Sequence, residues 1–328
     1  MLYFLKKMKK IVVFACFFTF FIFFFCLVRA QGADIVVVDT AADKPYPFDI
    51  LKINTWQSFE KGLQFIRIEE TILTDRGEEN NQKVPLTLNF DVLKFDPAFF
   101  DFSVYGVMTD KTESKVLSDW IRNYDLQAVI NASMYLMDNK TSIGYLRKGS
   151  AYVNKHRGKS LGAFFVSHPY EEYQGQIPSC AILYENDPDL HMFFSAEETK
   201  QTLENVLKKY SVVVQNFKLV DLPAGKSEWK GQRRHAIAAV AQDRENNILL
   251  MYASKPLTIQ EFRTVLQNNP LLKIKRAMYT EGGVEAGMAY KGKHLYLWQH
   301  EENIMLFLKG SVKLPNVIGI TRKHACPF

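Results

Sequence analysis

Twelve short β-like runs, separated by turn-forming residues, govern what this chain can fold into. They fall at Leu63–Ile68, Leu86–Phe95, Phe102–Val107, Ala128–Ile130, Ala163–Val166, Ala181–Tyr184 and Val212–Val214, and then at Ala236–Ala241, Ile248–Tyr252, Ala277–Tyr279, Leu295–Trp298 and Ile304–Leu308. Strands this short need neighbours on both edges and a cover on at least one face. Joined by turns, they argue for a mixed, largely antiparallel sheet with helices packed on it, an α+β fold. Three amphipathic stretches supply the helices. Residues 113–124 place Val116, Leu117, Trp120 and Ile121 on one face. Ser195-Ala-Glu-Glu198 is a capping-box signature ahead of the stripe Leu203, Val206, Leu207 and Tyr210. Thr258-Ile-Gln-Glu261 opens the third in the same way, with Phe262, Val265 and Leu266 turned to the core. No repeat or low-complexity linker divides the chain, so one domain is expected over residues 60–328, after a lead-in at 31–59.

The first thirty residues read differently. Lys6, Lys7, Lys9 and Lys10 precede an apolar, Phe-rich run over 11–28, and Val28 and Ala30 occupy the −3 and −1 positions of a cleavage site. That is a secretory signal pattern; the run is also nearly long enough to span a bilayer, so an uncleaved anchor is the other reading. Either way the rest of the chain is expected outside the cytoplasm, periplasmic or extracellular, with the membrane touched only through this segment. Residues 1–30 hold five basic residues and no acid, which leaves 36 basic and 35 acidic residues in the remainder, a net charge near +1. Nucleic-acid binding is excluded as a class by the lack of a basic face. Of the four cysteines, Cys16 and Cys26 lie in the signal, and Cys180 and Cys326 remain as a candidate disulfide in an oxidising compartment.

Several chemistries drop out. Gly158-Lys-Ser160-Leu-Gly162 matches a nucleophile elbow in letters, but basic residues precede it and a β-like run follows where a helix is required. No P-loop glycine pattern is present, and the seven histidines show neither zinc-ligand spacing nor a cysteine cluster, so no metal and no cofactor are expected. His235, at the start of a strand-like run, reads as a structural histidine.

Three segments carry candidate chemistry. The first is Arg276-Ala-Met-Tyr-Thr-Glu281-Gly282-Gly283-Val-Glu285, a strand running into paired glycines with a carboxylate on each side. Glycines let backbone approach a ligand closely, and a buried strand end holds acids rigidly. Two readings stand: a ligand-facing turn, or a tight hairpin from Tyr279 to Tyr290 with solvated acids. The second is Asn131-Ala-Ser133-Met-Tyr135-Leu-Met-Asp138, in which a strand delivers an amide, a hydroxyl, a phenol and an acid suited to orienting a sugar; an Asx-type turn is the alternative. The third is Gln232-Arg233-Arg234-His235, an arginine pair entering a hairpin with an Asp243-Arg-Glu-Asn-Asn247 turn. An arginine fork suits a phosphate, and an ion pair with a neighbouring acid is the other reading.

In this order and spacing the segments resemble the phosphodiester glycosidase domain family, found in many secreted bacterial proteins and in the uncovering enzyme, N-acetylglucosamine-1-phosphodiester α-N-acetylglucosaminidase. Gly62-Leu-Gln-Phe65, Asn131-Ala-Ser-Met-Tyr135, Arg234-His-Ala-Ile-Ala238 and Thr280-Glu-Gly-Gly-Val-Glu285 carry the likeness over roughly residues 60–320. The family's Asn-Gly-Gly stands here as Asn-Ala-Ser, its motif aspartate as Glu281 and its serine as Glu285. The resemblance implies hydrolysis between a sugar C1 and a phosphodiester oxygen in envelope or extracellular glycan metabolism. Carried onto this chain, it makes Arg234 the phosphate clamp, Glu281 base or nucleophile, and Glu285 or Asp138 the second carboxylate. Gly282 and Gly283 admit the ligand, with Asn131, Ser133 and Tyr135 against the sugar. The competing expectation is a non-catalytic, glycan-binding envelope protein on the same fold, with carbohydrate or sugar phosphate as the partner in both cases.

Overall fold

Burial along the strands explains the layering. In the run Phe100–Gly106 alternate residues are fully buried, as in a strand with one covered face, whereas Cys180–Tyr184 and most of His235–Asp243 and Ile274–Gly282 are buried on both faces. Strands of the second kind belong inside a stack of sheets. The computed structural model describes residues 53–75, 83–185, 187–195, 202–220, 233–291, 304–308 and 312–323, all within one compact unit, Ile50–Phe328.

Three sheets result, and every pairing between named strands is antiparallel. The first has the order β1 (Gln57–Glu60), β2 (Leu63–Asp75), β3 (Lys83–Phe95), β12 (Ile248–Leu257), β11 (His235–Asp243) and β13 (Ile274–Gly282). The second runs β7 (Ala151–Asn154), β6 (Leu146–Lys148), β10 (Tyr210–Asn216), β8 (Ala163–Pro169) and β9 (Cys180–Tyr184). The third runs β15 (Ile304–Leu308), β14 (Gly287–Lys291), β5 (Ala128–Asn131), β16 (Asn316–Arg322) and β4 (Phe100–Gly106). This is the expected α+β class with antiparallel sheets. Among the expected runs, Leu295–Trp298 and the lead-in before residue 53 lie outside the described residues.

Helices cover the outer sheets. α1 (Leu117–Tyr124) buries Leu117, Trp120 and Ile121 against Val129, Ala289 and Val317 of the third sheet, and its indole N–H donates to the Leu314 carbonyl at 3.2 Å. α2 (Leu203–Lys208) lays Leu203, Val206 and Leu207 on Phe164, Val166 and Val213 of the second sheet. Its cap is Thr202, whose side chain accepts from the Asn205 amide, rather than the expected Ser195; residues 196–201 lie outside the described set. α3 (Ile259–Asn268) is opened by the expected capping box, with Thr258 and Glu261 each accepting from the other's backbone N–H. Among the described residues no helix is long and apolar enough to cross a membrane.

One connection departs from a plain sequence reading. β13 and β14 do not pair with each other: β13 lies against β11 in the first sheet and β14 between β5 and β15 in the third. The Tyr279–Tyr290 hairpin is therefore absent. In its place the chain leaves one sheet and enters another through a single 3-10 turn, Gly283–Glu285.

Candidate active site

The crossover turn carries the acids. On β13, Ala238 faces Glu281 and Ala239 faces Tyr279, so Thr280 is an extra, bulged residue just before the strand ends. A bulge bends a strand and re-aims the side chains beside it. Glu281 follows it and is 6% exposed, with its Oε1 accepting the Gly282 amide at 3.0 Å. Burial pushes its carboxyl up to about 8; the Gly282 N–H opposes this and the nearby Glu285 charge adds to it. Glu281 is thus protonated at neutral pH. Glu285, two residues past Gly283, is half-buried, and among the described residues neither acid has an ion-pair partner.

Two glycines make the turn. Gly283 sits at φ +80°, a conformation that side chains resist. Gly282 answers a different need, close approach: a Cβ there would lie 2.0 Å from the Tyr279 hydroxyl and 2.7 Å from Cε1 and Nδ1 of His235. Tyr279 and His235 also meet edge to face, with ring centroids 6.4 Å apart. Burial raises the Tyr279 phenol, and the charges of Glu281 and Glu285 raise it further; the same three causes push Tyr135, on the loop after β5, up to about 12. Tyr135, Tyr279, Glu281 and Glu285 therefore share one electrostatic neighbourhood, and His235 reaches it over Gly282. This histidine, read from sequence as structural, packs on the site through Gly282 and Tyr279, a neighbourhood the sequence did not reveal. Its only local signal is its place one residue past Arg234 at a strand start.

The remaining expected site residues are placed as follows. Asn131, 1% exposed, ends β5 and spends its amide on the turn: Nδ2 donates to the Glu285 carbonyl and Oδ1 accepts from the Gly287 amide, both at 2.9 Å. It braces the Glu285 end of the turn. Ser133 is buried, with its hydroxyl bonded to Ser142 Oγ at 2.6 Å and to the Met134 carbonyl at 3.0 Å. Asp138 is exposed and caps its own turn, accepting from the amides of Lys140 and Thr141 and from the Thr141 hydroxyl, which holds its carboxyl below the usual range. This is the Asx-turn alternative, and it removes Asp138 from the pair of acids. Arg234 pairs through Nη1 with Glu261 Oε2 at 2.6 Å, joining the capping box of α3, while Arg233 is exposed. The ion-pair alternative describes Arg234, whose Nη1 is committed to Glu261. Cys180 is a free thiol, buried and raised by that burial; Cys326 lies outside the described residues. Among the described residues no group of three or more metal-ligating side chains converges.

Against known proteins, a family model for phosphodiester glycosidases matches residues 124–321, more than half of the chain. The chain belongs to the phosphodiester glycosidase family. Asn131, Arg234 and the Glu281 turn all fall within the matched stretch. Of solved structures, the catalytic domain of zebrafish N-acetylglucosamine-1-phosphodiester alpha-N-acetylglucosaminidase, auto-inhibited by its pro-peptide, superposes with a TM-score of 0.52 at 10% identity, over 81% of this chain and 86% of that one. A hypothetical protein from Synechocystis gives a TM-score of 0.46 at 13% identity, over 80% of this chain and 62% of that one. The zebrafish likeness shows a shared fold. No individually curated protein sequence matches the chain.

Proposed function

We propose that the chain is an exported hydrolase that cleaves the bond between a sugar C1 and a phosphodiester oxygen. The observation that carries this reading is the placement of Glu281 and Glu285 at a two-glycine crossover, with no neutralising cation among the described residues, in a member of this family. Glycosyl transfer through an oxocarbenium-like transition state uses two carboxyl groups in different protonation states. The burial of Glu281 supplies one of them. Protonated at neutral pH, it donates to the departing phosphate oxygen as the C1–O bond breaks. This revises the base or nucleophile role first expected of it. Glu285, nearer solvent, is the ionised partner that activates water or steadies the sugar cation. The hydroxyl of that water ends on C1, and the phosphate leaves as a monoester. Asn131 holds the Glu285 end of the turn. Export rests on the sequence pattern of residues 1–30.

The test is a panel of sugar-1-phosphodiesters followed by phosphorus NMR, with Glu281→Gln beside the wild type. Release of a phosphomonoester that the variant lacks supports the assignment. Silence across the panel from folded wild type overturns it in favour of the binding reading.

A further inference from the structure

A diester that enters this site brings a negative charge toward two acids, so a donor must meet it. The expected donor, Arg234, is engaged by Glu261, and α3's capping box fixes that carboxylate in turn. The next residue points elsewhere. The His235 ring lies over Gly282 so closely that no side chain fits beneath it, and it packs edge to face on Tyr279. Its Nδ1 sits 2.8 Å from the Ala236 carbonyl, which can only accept. The proton on that contact is therefore on Nδ1, and Nε2 is left as the ring's variable position. Half-buried at the start of β11, the ring is held through Nδ1 and packs on Tyr279 and over Gly282, the residue that follows Glu281 on β13, with Arg234 and its partner Glu261 beside it on its own strand.

We infer that His235 is the phosphate-holding residue of this site, its imidazole donating from Nε2 to a non-bridging oxygen of the bound diester. The inference rests on the sugar-phosphodiester reading for its substrate, but its phosphate contact is measurable without turnover. Gly282 is then space kept clear for a ring, beyond its part in the turn. Donation from Nε2 uses the imidazolium form of the ring, since the Nδ1 proton is committed to the Ala236 carbonyl, and a hydrogen bond between two charged groups is the strong kind.

The full-length chain titrated with inorganic phosphate, followed by nitrogen-15 NMR of its imidazoles, tests this directly. His235→Gln identifies the resonance. The expected result is a phosphate-dependent shift of the His235 Nε2 signal. Phosphate affinity should fall roughly tenfold in His235→Gln, about what one charge-assisted hydrogen bond supplies, and much less in Arg234→Gln. With a cleaved diester in hand, His235→Gln should raise KM about tenfold and move kcat little. A His235 signal indifferent to phosphate overturns the inference, as does Arg234→Gln weakening phosphate more than His235→Gln does. Melting curves of both variants verify that each is folded, and His235→Asn, which keeps a donor nearer the Nδ1 position, guards against a purely structural loss. If wild type cleaves no diester, the sugar-phosphodiester reading fails, while the phosphate titration still decides the role of His235.

Discussion

The two ends of β13 handle buried charge in opposite ways. At its beginning Arg276 is nearly inaccessible and meets Asp187 through Nε at 2.5 Å and again through Nη2, with Asp189 at 2.5 Å from Nη2 and Lys275 closing on Asp189 at 2.6 Å. Asp187 also accepts from the amides of Tyr184 and Asp189, so its oxygens are fully used. At the other end of the same strand Glu281 is just as buried and has one backbone donor and a second acid for company. Among the described residues, the fold pairs its buried ion completely at one end and gives the buried acid no cation at the other. That contrast separates a tie that holds β13 to the second sheet from a group kept out of its ordinary protonation state.

The contrast can be broken most sharply at Glu281. Glu281→Gln should lower turnover of a cleavable sugar-1-phosphodiester by roughly 10²–10⁴-fold, the range of general acid catalysis, while its melting temperature at pH 7 lies at or above that of wild type. Arg276→Met should do the reverse. Stranding two aspartates in the interior costs about 3–5 kcal/mol, read in urea unfolding, and the folded fraction should keep its turnover. If Glu281→Gln destabilises as much as Arg276→Met, the two ends are not different in kind.

Proton linkage sharpens the same comparison. Folding raises the Glu281 carboxyl from 4.5 to about 8, so the native state holds a proton that the unfolded chain releases first. Its contribution to stability is complete below pH 4.5 and is lost as pH rises through about 8, at about 1.4 kcal/mol per pH unit inside that window. The difference in unfolding free energy between wild type and Glu281→Gln should drift by that slope in favour of the variant; a flat difference from pH 5 to pH 8 would contradict the buried-acid account. Gly282→Ala comes next, at about 1–3 kcal/mol for overpacking, with Tyr279→Phe expected to restore part of it by removing the hydroxyl that the new methyl meets. The smallest effect belongs to Arg234→Gln, about 1 kcal/mol for a partly buried pair whose arginine still reaches solvent, seen as a modest drop in melting temperature.

What the sequence made legible follows its local physics. The capping box at Thr258 and Glu261 needs only four consecutive residues and is present as read. The Asp243–Asn247 turn closes the β11–β12 pair for the same reason, with Asp243 accepting from the amides of Glu245 and Asn247. Glu281-Gly282-Gly283 was recognisable as a special turn because paired glycines after a buried strand have few uses. Its route was not, since whether β14 folds back on β13 or joins β5 is decided by partners more than a hundred residues away. Asn131 shows the same limit. An amide at a strand end suits a sugar or a backbone equally well, and only the third dimension puts Glu285 and Gly287 across from it. His235 was hidden because its neighbourhood is made by Gly282, a residue with no side chain to advertise the contact.

The crossover has a mechanical consequence. Glu281 is fixed to the frame of the first sheet by β13, and Glu285 is tied to the third through Asn131 and the start of β14, with only three residues between them. The gap between the acids is therefore a caliper set across two sheets. Any wedge, pressure or distant packing change that shears one sheet against the other alters the jaw width directly, and with it the fit to a reacting sugar.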